Sequence, residues 1–165
     1  MGMPNQTRHA SIIDVYTSNR REAPRPCACT SVRKTARVLA RTFDSALADA
    51  GLNITQLAVM RAVLRHPHEP LTRVAEDLAM DRTSLYRALA ALEKHHWVRL
   101  RNGPDGRTRA AAITAAGEVA LRQAEPGWAM TQRALIERFG ASQWQILVAE
   151  LRRLADCAQA LETSE

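Results

Sequence analysis

The sequence has few cysteines and no long apolar run, and these absences exclude two classes of protein. Its 165 residues include three cysteines, an odd number that argues against the disulfide framework of a small secreted domain. No run approaches the roughly 18 apolar residues of a membrane helix, and the first residues lack the apolar stretch of a signal peptide. We therefore expect a soluble, cytoplasmic protein with no membrane partner.

Motifs for catalysis and metal binding are also missing. The chain has no nucleophile elbow, no phosphate-binding glycine loop and no HExxH zinc motif, so we predict neither an enzyme nor a cofactor. The nearest enzymatic alternative is a cysteine peroxidase built on Cys29. The pairs Cys27 with Cys29 and His66 with His68 lack the C-x2-C or H-x3-H spacing of zinc sites, so we predict no metal.

Positive charge is concentrated in one part of the chain. The formal net charge is +6, and the 28 residues from Arg82 to Arg109 carry seven lysines and arginines against Glu93 and Asp105, a net +5. Duplex DNA is a dense line of phosphates, and each phosphate neutralised by a basic side chain releases condensed counterions and raises affinity. The pattern favours a nucleic-acid partner, and the alternative is a basic face that meets only solvent.

Two short amphipathic helices are predicted where this charge begins. The apolar residues between Leu71 and Met80 recur at helical spacing and are Val74, Ala75, Leu78 and Ala79. Asp81 is a good N-cap for a second helix, whose apolar stripe is Leu85, Ala88, Leu89 and Leu92. The residues left facing outward on the second helix are Arg82, Thr83, Tyr86, Arg87 and Lys94. This pair is typical of a helix-turn-helix.

A β-hairpin is predicted directly after these helices. Residues 97–101 and 107–113 alternate apolar and polar side chains, and the turn at 102–106 contains two glycines and a proline. Two helices followed by a hairpin, in a basic region, form the order of elements in a winged helix-turn-helix. The predicted fold is therefore mainly α with a small β-hairpin wing.

Three motifs in this region resemble the MarR family of bacterial transcriptional regulators. They are the run Asp81-Arg82-Thr83-Ser84, the wing signature Asp105-Gly106-Arg107, and Ile113-Thr114 leading into a long helix. The resemblance extends from about Cys29 to Leu161. It implies a dimeric DNA-binding regulator, more often a repressor, which binds a pseudo-palindromic operator and is released by a small aromatic or anionic effector.

DNA contacts are predicted for seven residues. Arg82, Thr83, Ser84 and Arg87 begin the second helix, where side chains reach bases or nearby phosphates, and Arg87 suits a bidentate contact with guanine. Thr72 is expected to offer its hydroxyl and the start of the first helix to a phosphate. The resemblance implies that Arg107 enters the minor groove and that Asp105 orients it. For Lys94, Arg99, Arg101 and Arg109, solvated charge is an equal alternative.

The sequence departs from the family pattern at the end of the second helix. The family usually has glycine there, because that residue adopts a positive φ, whereas this chain has His96. Histidine tolerates the conformation at a cost of about 1 kcal/mol. The helix end is therefore expected to differ in detail.

The chain divides into four predicted regions. Residues 1–26 are a flexible arm, 27–50 a dimerisation helix, 51–114 the winged helix-turn-helix domain, and 115–165 the C-terminal dimerisation helices. A winged core of this size has no room for the apolar stripes of the flanking helices. We therefore predict a homodimer with two-fold symmetry.

Helix boundaries outside the winged region are predicted from single residues. The first long helix should end near Gly51, and Thr55 should cap the next one. Thr114 and Ser142 should cap the last two helices. Pro126 should kink or break the helix that starts at Thr114.

Two further sites are open hypotheses. An effector pocket between the dimerisation helices and the winged domain is expected to be lined by Phe43, Met60, Arg61, Leu64 and Trp128, which are equally consistent with plain core. Cys29 lies near a predicted helix start beside Arg33, an environment that favours a reactive thiolate and a redox-sensing regulator, or it is a small apolar residue at the dimer seam. An architectural DNA-binding protein without a ligand is a further alternative.

Overall fold

The structure is a computed structural model that describes residues 26–103 and 108–162. Six α-helices and a β-hairpin follow one another within these ranges, and a 3₁₀ turn at Ala48–Ala50 closes the first helix. Their bounds are α1 Ala28–Leu47, α2 Ile54–Arg65, α3 Leu71–Asp77, α4 Arg82–Lys94, β1 Val98–Asn102, β2 Arg109–Ile113, α5 Ala115–Phe139 and α6 Ala141–Glu162. The Cα packing separates residues up to Val38 from those that follow, so the first half of α1 is described by itself. The predicted mainly α fold with a β-hairpin wing is confirmed.

The turn between α1 and α2 is built by glycine and by an asparagine cap. Gly51 takes a left-handed φ of 68°, which confirms the predicted end of the first helix. The cap of α2 is Asn53, whose side chain accepts from the Gln56 amide at 2.8 Å, while the Gln56 side chain accepts from the Asn53 amide at 3.0 Å. The prediction of Thr55 as cap was wrong, because this reciprocal box satisfies two amides from a position two residues earlier.

The hydrophobic core lies where α2 and α4 meet the hairpin and α5. Its most completely buried side chains are Leu47, Leu57, Val59, Met60, Val74, Leu85, Leu89 and Leu92. They come from four different helices, each of which contributes one apolar stripe. The burial of these stripes determines which faces of α3 and α4 remain outside.

The first helix of the helix-turn-helix is shorter than its apolar pattern predicts. α3 ends at Asp77, and Ala79 takes a φ of +48° in the turn and is exposed, whereas the sequence predicted a helix to Met80 with Ala79 on the packed face. The Met80 amide donates back to the Ala75 carbonyl at 2.9 Å, a bond that requires the left-handed residue between them. The turn geometry therefore overrides helical spacing at Ala79.

A charged contact joins the ends of α2 and α3. The Arg65 guanidinium donates to the Asp77 carboxylate through two nitrogens, at 2.7 and 3.1 Å, and His66 Nε2 lies 3.2 Å from the same oxygen. The hydrogen bonds and charge of Arg65, followed by the hydrogen bond and charge of His66, lower the pKa of Asp77 below its ordinary value. This contact sets the position of α3 relative to the core helix α2.

The wing is an antiparallel pair in which Val98 lies opposite Ile113 and Asn102 opposite Arg109. Leu100 donates its backbone amide to the Glu93 carboxylate at 2.9 Å, so α4 and β1 are directly joined. The alternation predicted for β2 fails, because Ala110 and Ala111 are both buried. The segment that precedes α3 also runs along the outer edge of β2, where Pro70 forms an antiparallel bridge to Ala110.

The junction of α4 and the wing depends on a residue with positive φ. His96 adopts a φ of 58°, as the sequence comparison with the usual glycine anticipated. Its carbonyl accepts from the Thr114 hydroxyl at 2.5 Å, and Thr114 also caps α5 by accepting from the Gly117 amide at 3.0 Å. One threonine therefore fixes both the end of α4 and the start of α5, and its predicted role as a cap is confirmed.

The C-terminal helices differ from prediction at two points. α5 runs without a break through Pro126, since a helix of 25 residues tolerates the loss of one backbone hydrogen bond, and the expectation of a break was wrong. α5 ends at Gly140, which has a φ of 99°. α6 begins before Ser142, whose hydroxyl donates to Gln143 Oε1 at 2.9 Å, so the prediction of Ser142 as cap was also wrong.

In the described ranges, none of the helices is both long enough and apolar enough to cross a lipid bilayer.

The His96 conformation gives a stability prediction. Replacing His96 with glycine should raise the free energy of unfolding by about 0.5 kcal/mol, because the cost of a left-handed side chain of about 1 to 2 kcal/mol exceeds the extra unfolded-state entropy of glycine. Urea denaturation at one protein concentration measures the change.

The neighbouring His95→Gly substitution is the matched control. His95 has an ordinary φ of −86°, and its ring stacks on Trp97 with centroids 4.5 Å apart. This control should destabilise the protein by about 1 kcal/mol. Equal loss of stability in both variants would contradict the assigned strain at His96.

Candidate nucleic-acid interface

One face of α4 points away from the hydrophobic core and carries basic side chains. Leu85, Leu89 and Leu92 are buried on the opposite face. The residues on the outer face are Arg82, Thr83, Arg87 and Ala90, all exposed, and Tyr86, which is half-buried. The structure therefore brings three of the sequence-predicted contact residues, Arg82, Thr83 and Arg87, onto one surface.

The start of α4 is fixed by a cap that also engages Ser84. The Asp81 carboxylate accepts from the Ser84 amide at 2.9 Å and from the Ser84 hydroxyl at 2.6 Å. The Ser84 hydroxyl, followed by its amide, lowers the pKa of Asp81. Ser84, which was predicted to contact DNA, thus donates its hydroxyl within the cap and orients the first turn of the helix that presents Arg82 and Thr83.

A cavity of about 280 Å³ lies between α3, α4 and the wing. Thr72, Arg82 and Arg109 line it with polar atoms, and Tyr86 forms part of its wall. The Arg82 guanidinium carbon lies 5.6 Å from the centroid of the Tyr86 ring. Two predicted residues from separate helices, Thr72 and Arg82, therefore meet a strand residue at one site.

Three residues at this junction were missing from the predicted contact set. They are Tyr86, Thr108 and Arg109. Arg109 could have been included because it lies in the basic segment 82–109. Tyr86 could have been included because helical spacing places it on the outward face of α4. Thr108 had no signal, because only the folding of the wing brings it beside α3. The remaining predicted contacts, Asp105 and Arg107, lie outside the described residues.

The residues predicted to line an effector pocket are in three environments. Arg61 lies over the Trp128 ring, with its guanidinium carbon 3.9 Å from the centroid, and donates to Glu125 at 2.6 Å. Phe43 and Met60 are buried. Leu64 is 51% exposed and lines a separate cavity with Pro67 and Arg101. The structure thus joins Arg61 and Trp128 and places Leu64 elsewhere.

Comparison with known proteins identifies the architecture. The M. tuberculosis transcriptional regulator MosR, in a crystal structure with DNA, is 29% identical, and the match covers 82% of this chain and 98% of that chain with a TM-score of 0.75. A MarR-family transcription regulator matches with 18% identity, coverage of 80% and 91%, and a TM-score of 0.65. The chain has the winged helix-turn-helix fold of these two regulators.

Two further comparisons bear on the fold of this chain. The PcaV regulator of Streptomyces coelicolor, in complex with its natural ligand, is 18% identical over 79% of this chain and 93% of that chain, with a TM-score of 0.71. A family model for the IclR helix-turn-helix domain matches residues 56–101, the segment from α2 to β1. That local match agrees with the helix-turn-helix assignment, while the fold beyond it is of the MarR type. No curated protein matches the chain.

The C-terminal helices α5 and α6 expose large apolar side chains. Met130 on α5 is 68% exposed, and Ile146 and Leu161 on α6 are 63% and 76% exposed. Leu151 and Leu154 extend this surface along α6 and are also exposed. A single chain therefore leaves an apolar surface along α5 and α6 in contact with water.

The N-terminal cysteines lie at the start of α1, where the sequence analysis placed Cys29. Cys27 immediately precedes α1, and its carbonyl accepts from the Ser31 amide at 3.0 Å. Hydrogen bonds from the Thr30 hydroxyl and then the Thr30 amide lower the pKa of the Cys27 thiol. Cys29, the residue that the sequence interpretation favoured, lies one residue inside the helix and is exposed, as is Cys157.

Proposed function

We propose that the protein is a homodimeric transcriptional repressor that binds a pseudo-palindromic DNA operator. The observation that carries the proposal is the junction of α4 with the wing. Arg82 and Arg109 line the cavity there, and Arg82 and Arg87 line the adjoining outer surface of α4, all three side chains being exposed. Phosphates fix the register of a protein on DNA, and base edges supply the sequence information. This surface offers cations for phosphates and a helix face narrow enough to enter the major groove.

Individual roles follow from where each side chain lies. Arg87 is exposed on the outer face of α4 and is proposed to read guanine, because its guanidinium can donate two parallel hydrogen bonds. Arg109 and the Thr72 hydroxyl at the cavity are proposed to hold a phosphate. Asp105 and Arg107 retain the roles that the family resemblance implies, at the wing tip and the minor groove.

The exposed apolar side chains of α5 and α6 support the dimer. A two-fold axis at that surface buries the same residues on both subunits. Such a dimer also presents two copies of α4, which bind half-sites separated by about one helical turn of DNA. Occupancy of such a site at a promoter excludes polymerase, so repression in the cytoplasm is the regulatory outcome that we propose.

An aromatic or anionic effector is proposed to act through the contact between α2 and α5. Arg61 is held there by Trp128 and Glu125. A carboxylate ligand that replaces Glu125 on Arg61 would favour one arrangement of the helices and weaken DNA binding by the same coupling factor. DNA release by benzoate should be lost in the Arg61→Gln variant, and undiminished release would place the effector elsewhere.

Replacing Arg87 with alanine tests the DNA-binding role. Binding to the best duplex selected from a randomised library should weaken by roughly 10- to 100-fold, because a bidentate base contact is worth about 1 to 3 kcal/mol. Binding to duplexes of unrelated sequence should weaken much less, since that binding depends on phosphate contacts. Fluorescence anisotropy across a salt series measures both.

The control for this experiment is Arg122→Ala. Arg122 is an exposed arginine of α5 whose ion pair with Glu118, at 3.8 Å, is on the surface. This variant should bind both duplexes as the unmodified protein does. If the unmodified protein binds every duplex equally, the architectural alternative without an operator replaces the proposed function.

Charged residues introduced into the apolar surface of α6 test whether this surface forms the dimer interface. Replacing Leu151 and Leu154 together with glutamate should convert the dimer to monomers, because two desolvated carboxylates would oppose burial of the interface. Light scattering after size-exclusion chromatography measures the mass. The matched control replaces Gln145 and Arg152, which are exposed on the other side of α6, with glutamate, and this variant should remain dimeric. A variant that stays dimeric with both glutamates would contradict the interface.

A thiol-based switch is a second candidate function, favoured by the lowered pKa of Cys27. The Cys27 thiolate would attack a hydroperoxide, forming a sulfur–oxygen bond as the oxygen–oxygen bond breaks, and the departing alkoxide would take a proton to become an alcohol. The resulting sulfenic acid condenses with a second thiol to give a disulfide and water. The original hypothesis named Cys29, which is the nearest second thiol in the sequence.

Alkylation distinguishes the two cysteines. Because the pKa of Cys27 is lowered, its thiolate should be present at a lower pH than that of an ordinary cysteine, and iodoacetamide should modify it faster below pH 8. Mass spectrometry of the Cys27→Ser and Cys29→Ser variants measures the rates. Peroxide should release DNA from the unmodified protein but not from Cys27→Ser. Release blocked only in Cys29→Ser would instead support the original assignment.

A further inference from the structure

The outer face of α4 contains an apolar strip between its basic side chains. Arg82, Tyr86 and Ala90 follow one another at four-residue spacing, so they form one row along the helix, and Thr83 and Arg87 form the row beside it. All five line the same open surface. Tyr86 and Ala90 are therefore adjacent apolar groups on a face that is otherwise built to donate hydrogen bonds.

The Tyr86 ring is held in place on this face. It is half-buried, packs against the hydrophobic core and lines the junction cavity as well as the outer surface. Ala90 is exposed one turn further along and has only a methyl group as its side chain. These two residues lie about 6 Å apart along the helix axis, which is close to two base steps of about 3.4 Å.

Each kind of side chain on this face matches a different base. Arginine recognises the two acceptors of guanine, whereas a small apolar group matches the thymine methyl, the one methyl that the major groove presents. The Ser84 hydroxyl, which lies in the same first turn of α4, is engaged with Asp81 at 2.6 Å. The outer face is thus left with cationic donors, the Thr83 hydroxyl and the apolar strip.

We infer that Tyr86 and Ala90 recognise thymine methyl groups in each operator half-site, beside a guanine contacted by Arg87. The inference rests on the proposed function and extends it to the bases that are read. A methyl group buried against the strip contributes about as much as one buried CH₂, which corresponds to roughly a three- to fivefold change in affinity.

The test removes the methyl group and nothing else. A binding duplex is selected from a randomised library with the full-length protein, and each of its thymines is then replaced in turn with deoxyuridine, which keeps the same hydrogen-bonding groups. One or two thymines in each half-site should show a three- to fivefold weaker Kd, by fluorescence anisotropy. The other thymines should show no change.

Two protein variants assign the effect to this strip. In Ala90→Gly, the deoxyuridine penalty should fall below twofold at one of these thymines, whereas Ala88→Gly should retain the full penalty. Ala88 is a matched control because it lies on the same helix but packs against the core. Each penalty is the ratio of the Kd values that one variant has for two duplexes. A smaller fraction of folded protein in a glycine variant changes both Kd values equally and cancels in the ratio.

The Tyr86→Phe variant completes the set. It keeps the ring and removes the hydroxyl, so the deoxyuridine penalties should persist. A selected motif with no methyl-sensitive thymine, or penalties that are the same in Ala90→Gly and Ala88→Gly, would overturn the inference alone. A selection that returns no common motif would overturn the proposed function and the inference with it.

Discussion

Burial of the leucine stripe on α4 is the constraint on which the rest of the interface depends. Leu85, Leu89 and Leu92 are inserted into the core, so the helix can rotate only at the cost of exposing them. Because a helix has a fixed residue spacing, this burial also determines that Arg82, Thr83 and Arg87 face outward. The basic surface is thus a consequence of apolar packing on the opposite side of the same helix.

Polar contacts at the helix ends convert that packing into a defined geometry. Asp81 fixes the first turn of α4, and the Glu93 carboxylate joins its last turn to the backbone of β1 at 2.9 Å. Thr114 then links the end of α4 to the start of α5. Each of these bonds satisfies a group that a helix or strand end would otherwise leave without a partner. The wing and the recognition surface of α4 therefore have a fixed relation.

The surfaces of α5 and α6 differ from the winged core in the exposure of their apolar side chains. Within residues 26–103 and 108–162, large apolar side chains of α5 and α6 are exposed, whereas the winged domain buries its own hydrophobic core. The proposed function uses both properties, since the core of each subunit would stay rigid while the spacing between the two copies of α4 changes. The Arg61 contact with Trp128 and Glu125 lies where α2 meets α5, and so between the buried core and the exposed apolar surface of the C-terminal helices.

The sequence by itself determined the elements whose signal is local. The apolar stripes of α4, the cap at Asp81, the cap at Thr114 and the unusual His96 all depend on residues a few positions apart, and the structure agrees with each. The positive charge of the interface could also be predicted from the sequence, because it depends on the number of basic residues and not on their conformation. The order of helices and hairpin then indicated the fold class and supported the family resemblance.

Tertiary structure decided what depends on neighbours far away in the chain. Ala110 of β2 pairs with Pro70, which lies much earlier in the chain, and the local sequence around Ala110 does not indicate that pairing. Thr108 and Arg109 meet Thr72 at one cavity only after the wing folds back on α3. The periodicity of apolar residues predicts one helix or strand at a time, so it cannot predict a surface formed by residues of two different elements.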